Sequence, residues 1–132
     1  MWCNVGFAKP VLLECLDDEQ PDPNLEWYTY ISLDLDKKDF EVVASKTVLK
    51  GDCALGNCEE LTMYNRKLPF ISENQEFLKI GDEGRNYLTI NKKTLGVVWY
   101  SYYFEEDSDG RQYKEDNYGY YSCKTINKFP FK

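Results

Sequence analysis

LGVVWYSYYF, residues 95–104, and YGYYSCKTI, residues 118–126, decide how this chain is read. Between them runs the acidic, Gly-containing EEDSDGRQYKEDN, so the pair predicts two long antiparallel strands joined by a charged, exposed loop. In the first segment both alternating faces are apolar or aromatic, with Leu95, Val97, Trp99 and Tyr103 on one and Val98, Tyr100, Tyr102 and Phe104 on the other. One face of such a strand meets a core, and the other needs a second layer or a partner. Seven of the eleven tyrosines, counting Tyr113 in the loop, fall in this unit.

Outward from it the same period of two recurs. Residues 27–35 set Trp27, Thr29, Ile31, Leu33 and Leu35 against Tyr28, Tyr30, Ser32 and Asp34, the pattern of a half-buried strand. A polar turn at 36–39 leads into a third strand, to about Val48, with Phe40, Val42 and Ala44 continuing the inward face. Residues 11–16 predict a first strand with Val11, Leu13 and Cys15 on one side, and the Pro-containing stretch 17–26 after it reads as a loop. Short strands are expected at 61–64 and 68–72, divided by Asn65-Arg66-Lys67, with Pro69 pushing the second to a sheet edge. Residues 77–80 and 87–91 supply two more strands, with a turn at 81–86 between them. The only helix candidate, around 72–78, is too short to stand alone. The expected fold is therefore all-β, a small antiparallel meander barrel or sandwich of about eight strands in a single domain. Residues 1–10 and 127–132 are read as terminal arms, whose Trp2, Phe129 and Phe131 either dock on their own domain or reach a neighbouring subunit.

Composition narrows the function. Asp and Glu outnumber Lys and Arg by 23 to 16, a net charge of −7, which disfavours direct binding to nucleic acid or to anionic lipid. The chain has no histidine, so it lacks the commonest general base, the commonest neutral metal ligand and any Ser-His or Cys-His nucleophile pair. The expectation is a protein that is not an enzyme. No apolar run approaches the roughly 18 to 20 residues that span a bilayer. The start, MWCNVGFAKP, lacks the basic and long apolar regions of a signal peptide, although Gly6-Phe7-Ala8 fits the remnant of one.

Two motifs carry possible chemistry. Glu105, Asp107, Asp109 and Asp116 can be laid on a calcium-loop template with Gly110 at its sharp turn, because alternate carboxylates there converge on one hard cation. The competing reading is a solvated acidic hairpin loop, favoured by Glu at the first position, Asp at the last and strands on both sides. Cys53 and Cys58 flank a short loop that a disulfide closes plausibly, and Cys15 with Cys123 would tie the first strand to the last. Reduced, structural thiols are the alternative, decided by compartment, and Cys3 is the odd one out. Disulfides would place the chain outside the cytoplasm or in a virion; without them it is expected in the cytoplasm.

Residues 12–15 (LLEC), 30–36 (YISLDLD), 87–95 (YLTINKKTL) and 119–124 (GYYSCK) together resemble a diffuse group of small β-rich hypothetical proteins of bacteria and tailed phages. An early Cys, an I-D-L-D strand, an I-N-x-x-T-L hairpin and a late Y-x-C-K mark that group. The resemblance implies a small antiparallel barrel and a Cys15–Cys123 bridge, and it carries no catalytic residue. The architecture is more distantly similar to lysozyme-inhibitor-type barrels, whose inhibitory loop has no match here.

The function expected from these residues is a protein-binding module, an inhibitor or accessory protein. It would use Trp99, Tyr100, Tyr102, Tyr103, Phe104, Tyr113, Tyr118, Tyr120 and Tyr121 together with the acidic loop. The bland reading of the same residues is that Tyr is a good strand former, paired across the hairpin. A subunit of a larger assembly, such as a phage particle, is the alternative function. A calcium- or sugar-dependent binding protein is a third and an acidic nucleic-acid mimic a fourth.

Overall fold

A computed structural model describes residues 10–19, 23–49 and 58–131. Wherever the sequence alternates, it forms strand: β1 Val11–Asp17, β2 Leu25–Asp34, β3 Asp39–Leu49, β4 Glu59–Leu68, β5 Phe70–Glu73, β6 Phe77–Asp82, β7 Asn86–Asn91, β8 Gly96–Glu106 and β9 Gln112–Ile126. All nine are antiparallel in one sheet of order β4-β3-β2-β1-β9-β8-β7-β6-β5, curled into a half-barrel, and there is no helix among the described residues. The division between β4 and β5 falls at Pro69 and not at Asn65-Arg66-Lys67.

The sheet is two meanders, β1 to β4 and β5 to β9, joined at two places. One is the β1/β9 ladder, in which Cys15 lies directly opposite Cys123, the Cα atoms 4.0 Å apart and the sulfurs bonded. The other is the corner at Pro69. Leu68 pairs with Phe40 and Phe70 pairs with Ile80, so one bend carries the chain from the β3 edge to the β6 edge. Proline suits this bend because it has no N–H to leave unpaired, while its carbonyl accepts from the Gly81 N–H at 2.8 Å. Gly81 sits at φ 124°, where an added Cβ would lie 2.6 Å from the Asn86 carbonyl oxygen, so only glycine fits.

The curl gathers the inward-facing aliphatics into one core near that corner. Leu13, Ile31, Leu33, Phe40, Val42, Leu68, Leu78, Ile80, Leu88, Ile90 and Val97 are all buried there. Each full burial is worth about 1.5 to 3 kcal/mol, so this half of the concave face carries most of the sheet's stability.

Four expectations change. Ala44 does not continue the inward face of Phe40 and Val42. Val43 is an extra residue between the Ile31–Val42 and Tyr30–Ala44 pairs, and this bulge turns Ala44 to the convex side. Tyr30 faces outward as alternation demands yet is fully buried, because Phe129 and Phe131 lie edge-on to its ring at 5.9 and 5.0 Å. Phe129 and Phe131 therefore dock on their own sheet, whereas Trp2 lies outside the described residues. The segment at 65–67 is no break, since Asn65 takes a left-handed φ of 51° and β4 runs through it as a bulge. Most of the loop expected at 105–117 is strand, because Glu105 still pairs with Tyr113 and Glu106 with Gln112.

Candidate functional site

Alternation in β8 and β9 sends their aromatics to opposite faces, and each face builds a different surface. Trp99 and Tyr121 point into the curl, above the aliphatic core. Their ring centres are 6.2 Å apart. The Trp99 Nε1–H donates to Asn86 Oδ1, which fixes the indole. Gly119, the register partner of Trp99, leaves room for the Tyr121 ring to fold back, since a Cβ there would stand 3.2 Å from Cε1. Burial raises the Tyr121 phenol, the nearby Asp17 adds to this, and a hydrogen bond from Thr29 acts in the opposite sense.

Across from these rings, β2, β3 and β4 contribute Trp27, Thr29, Ser45, Thr47, Tyr64 and Arg66 on the same concave face. Register explains the set. Trp27 opposes Thr47 and Thr29 opposes Ser45, while the β4 bulge carries Tyr64 and Arg66 inward. Ser45 Oγ donates to the Tyr64 hydroxyl at 3.3 Å. The result is a cleft of about 430 Å³ at the open end of the half-barrel, with Asp17 at its β1 wall. A second cleft of about 290 Å³ shares Trp99 and Tyr121 and continues past Ser101, Asn117 and Gly119. Asn117 donates to Ser101 there at 3.3 Å.

The convex face carries the second surface. Tyr87, Tyr100 and Tyr118 are register neighbours across β7, β8 and β9, their ring centres 4.9 and 5.3 Å apart, and the Lys79 ammonium covers the Tyr87 ring at 4.2 Å. The Tyr100 hydroxyl donates to Asp116 Oδ1 at 2.7 Å. That bond, with burial, pushes its phenol up to about 12. Beyond this row Tyr102 packs edge-on to Phe104 at 5.6 Å with the Lys114 ammonium over its ring. Outward aromatics remain open to solvent: Phe104 is 61% exposed, Tyr118 48% and Tyr120 45%.

This row continues onto a ribbon. β7 follows β8 only as far as Tyr100, and β1 follows β9 only from Tyr121, so among the described residues the 101–117 backbone has strand partners only within itself. They project past the sheet as a two-stranded arm. Six acids against two bases in that stretch give it four of the chain's seven net negative charges. Its reverse side shows Tyr103 and Tyr113, and the Tyr113 hydroxyl donates to Glu105 Oε2 at 3.2 Å. At the tip the Asp107 carboxylate accepts from the backbone N–H groups of Asp109 and Arg111, both at 2.9 Å, and Gly110 closes the turn at φ 79°.

The four carboxylates placed on the calcium template are not brought together. Asp116, opposite Tyr102, is on one face of the ribbon and Glu105, opposite Tyr113, on the other, while Asp107 holds the turn. No group of three or more metal-ligating side chains occurs among the described residues. Of the nine aromatics assigned to a partner surface, Tyr100, Tyr102, Phe104, Tyr118 and Tyr120 share the convex face. Tyr103 and Tyr113 lie behind them, and Trp99 and Tyr121 belong to the cleft. Cys58 is disulfide-bonded, and Cys53, paired with it in the sequence reading, lies outside the described residues. The cleft residues Trp27, Thr29, Ser45, Thr47, Tyr64 and Arg66 were not singled out from sequence. The one signal for them was the inward phase of Trp27.

No family model matches the chain, and comparisons with curated proteins and with solved structures find no match. No helix among the described residues is long and apolar enough to cross a membrane.

Proposed function

We propose that the chain is a non-enzymatic protein-binding module, acting as an inhibitor or accessory protein, that grips its partner with the convex tyrosine row and the projecting ribbon. The observation that carries this reading is the continuity of the two: exposed Tyr118, Tyr120 and Phe104 run onto an arm that no other described strand pairs with. Tyrosine offers large contact area at low entropy cost and keeps a polar tip, which suits protein recognition. The acidic arm selects a partner with a basic rim around an apolar centre, and charge of this kind speeds encounter more than it tightens the final complex. The Cys15–Cys123 bridge supports action in an oxidising compartment.

The test is capture from the native source by the wild-type chain and by a Tyr118→Ser, Tyr120→Ser, Phe104→Ser variant, at low and high salt. A partner retained by the wild type, lost in the variant and weakened by salt is expected. Equal capture by the two proteins removes the reading. Sedimentation of the isolated chain separates a foreign partner from a second copy, since growth in size that the same three substitutions abolish would make the chain an assembly subunit.

A further inference from the structure

We propose that the concave cleft is a carbohydrate site that takes a neutral glycan, stacked between Trp27 and Trp99 and hydrogen-bonded by the hydroxyls and the two opposite charges around them. This site is separate from the convex protein-binding surface, since the two use opposite faces of β8 and β9.

Its size falls among small-molecule sites, which run from about 300 to 1,000 Å³, at about 430 Å³ for the main cleft. Its chemistry then selects the ligand. An apolar ligand would strip water from Thr47, the Tyr64 hydroxyl and the Arg66 guanidinium without replacing their hydrogen bonds, and stranded polar groups are costly. An anion would meet Asp17 inside a chain of net charge −7. A cation would meet Arg66, which has no ion-pair partner among the described residues.

A sugar satisfies every wall at once. Its C–H face lies on the electron-rich face of an indole, and its hydroxyls both donate and accept. Trp27 is 37% exposed at the rim, so its ring is open to such a ligand. The adjoining cleft of about 290 Å³, which shares Trp99 and Tyr121 and ends at Ser101 and Asn117, extends the site beyond one sugar unit.

The test uses the full chain, fluorescently labelled, on an array of immobilised neutral and acidic glycans, followed by titration with the retained glycan in free form. Retention of neutral glycans is expected, with affinity falling about tenfold or more in Trp27→Ala, which removes a stacking face. Thr47→Arg, which fills the cleft from β3, is expected to abolish it. Protection of tryptophan fluorescence from acrylamide by the free glycan reads the cleft without any substitution. Retention of no glycan, retention of acidic glycans alone, or unchanged affinity in both folded variants overturns the proposal. Capture of the protein partner is expected to be the same in Trp27→Ala as in the wild type, so the two readings fail independently.

Discussion

The inward and outward aromatics of β8 and β9 are one residue apart in sequence and differ in almost everything else. Trp99 and Tyr121 sit over a buried aliphatic floor, each held by a specific polar neighbour, Asn86 or Thr29. Tyr118 and Tyr120 lie in the open, Tyr118 resting against the Tyr100 ring of the convex row. The same residue types thus make an enclosed, preorganised pocket on one side and a broad adaptable surface on the other. Sheet curvature decides between them, because the concave side brings distant strands together and the convex side spreads near ones apart.

The contrast is broken most completely by removing what supports both sides. Replacing Cys15 and Cys123 together by Ala is expected to cost about 4 kcal/mol, since the bridge closes a loop spanning 108 residues in sequence, and urea denaturation measures it. Leu88→Ala comes next. Leu88 lies opposite Trp99 on the concave side and is fully buried, so a loss of about 3 kcal/mol is expected, together with a change in tryptophan fluorescence as the indole loses its floor.

A smaller effect isolates the convex side. The Tyr100 phenol is held up to about 12 against its ordinary 10.0, so the folded state favours the neutral form. Its contribution is complete below about pH 10 and is lost as pH rises from there through about 12. Urea midpoints measured between those limits are expected to fall, and to fall less in Tyr100→Phe, which also removes one late-titrating phenol from the tyrosinate absorbance curve. The smallest effect sharpens the comparison. Tyr118→Ser with Tyr120→Ser is expected to change stability by only about 0.5 kcal/mol, because both rings are nearly half exposed. A loss on the scale of the Leu88 substitution would mean that the convex row is a structural layer and not a free surface.

Most of the strands were legible because alternation is a local property. Residues 27–35 revealed their phase without any knowledge of their neighbours, whereas 95–104 revealed an extended strand but, being apolar on both faces, not which face turns inward. What escaped depended on distance. V-V-A at 42–44 reads equally well in either phase, so the bulge that sends Ala44 outward leaves no mark on the pattern. Charged residues at 105–117 look like a loop because a strand without a core beneath it has no apolar face to show. Tyr30 was read as an exposed position, since nothing near it in sequence announces that Phe129 and Phe131 will cover it. The cleft was the least legible feature of all. Its walls come from β1, β2, β3, β4, β8 and β9, and only the curl of the sheet makes neighbours of them.

The pairing of β1 with β9 also has a mechanical meaning. Leu12 lies opposite Ile126, so the outer ends of the first and last strands emerge side by side. Tension applied between them would peel the two strands apart one pair at a time, the geometry that resists least. Only the three pairs before Cys15 and Cys123 can open in this way. At the fourth the force passes into the covalent bond, and everything between the two cysteines, including the cleft and the ribbon, is left unloaded. The molecule can thus be tethered or pulled by both ends while its concave and convex faces keep their shape.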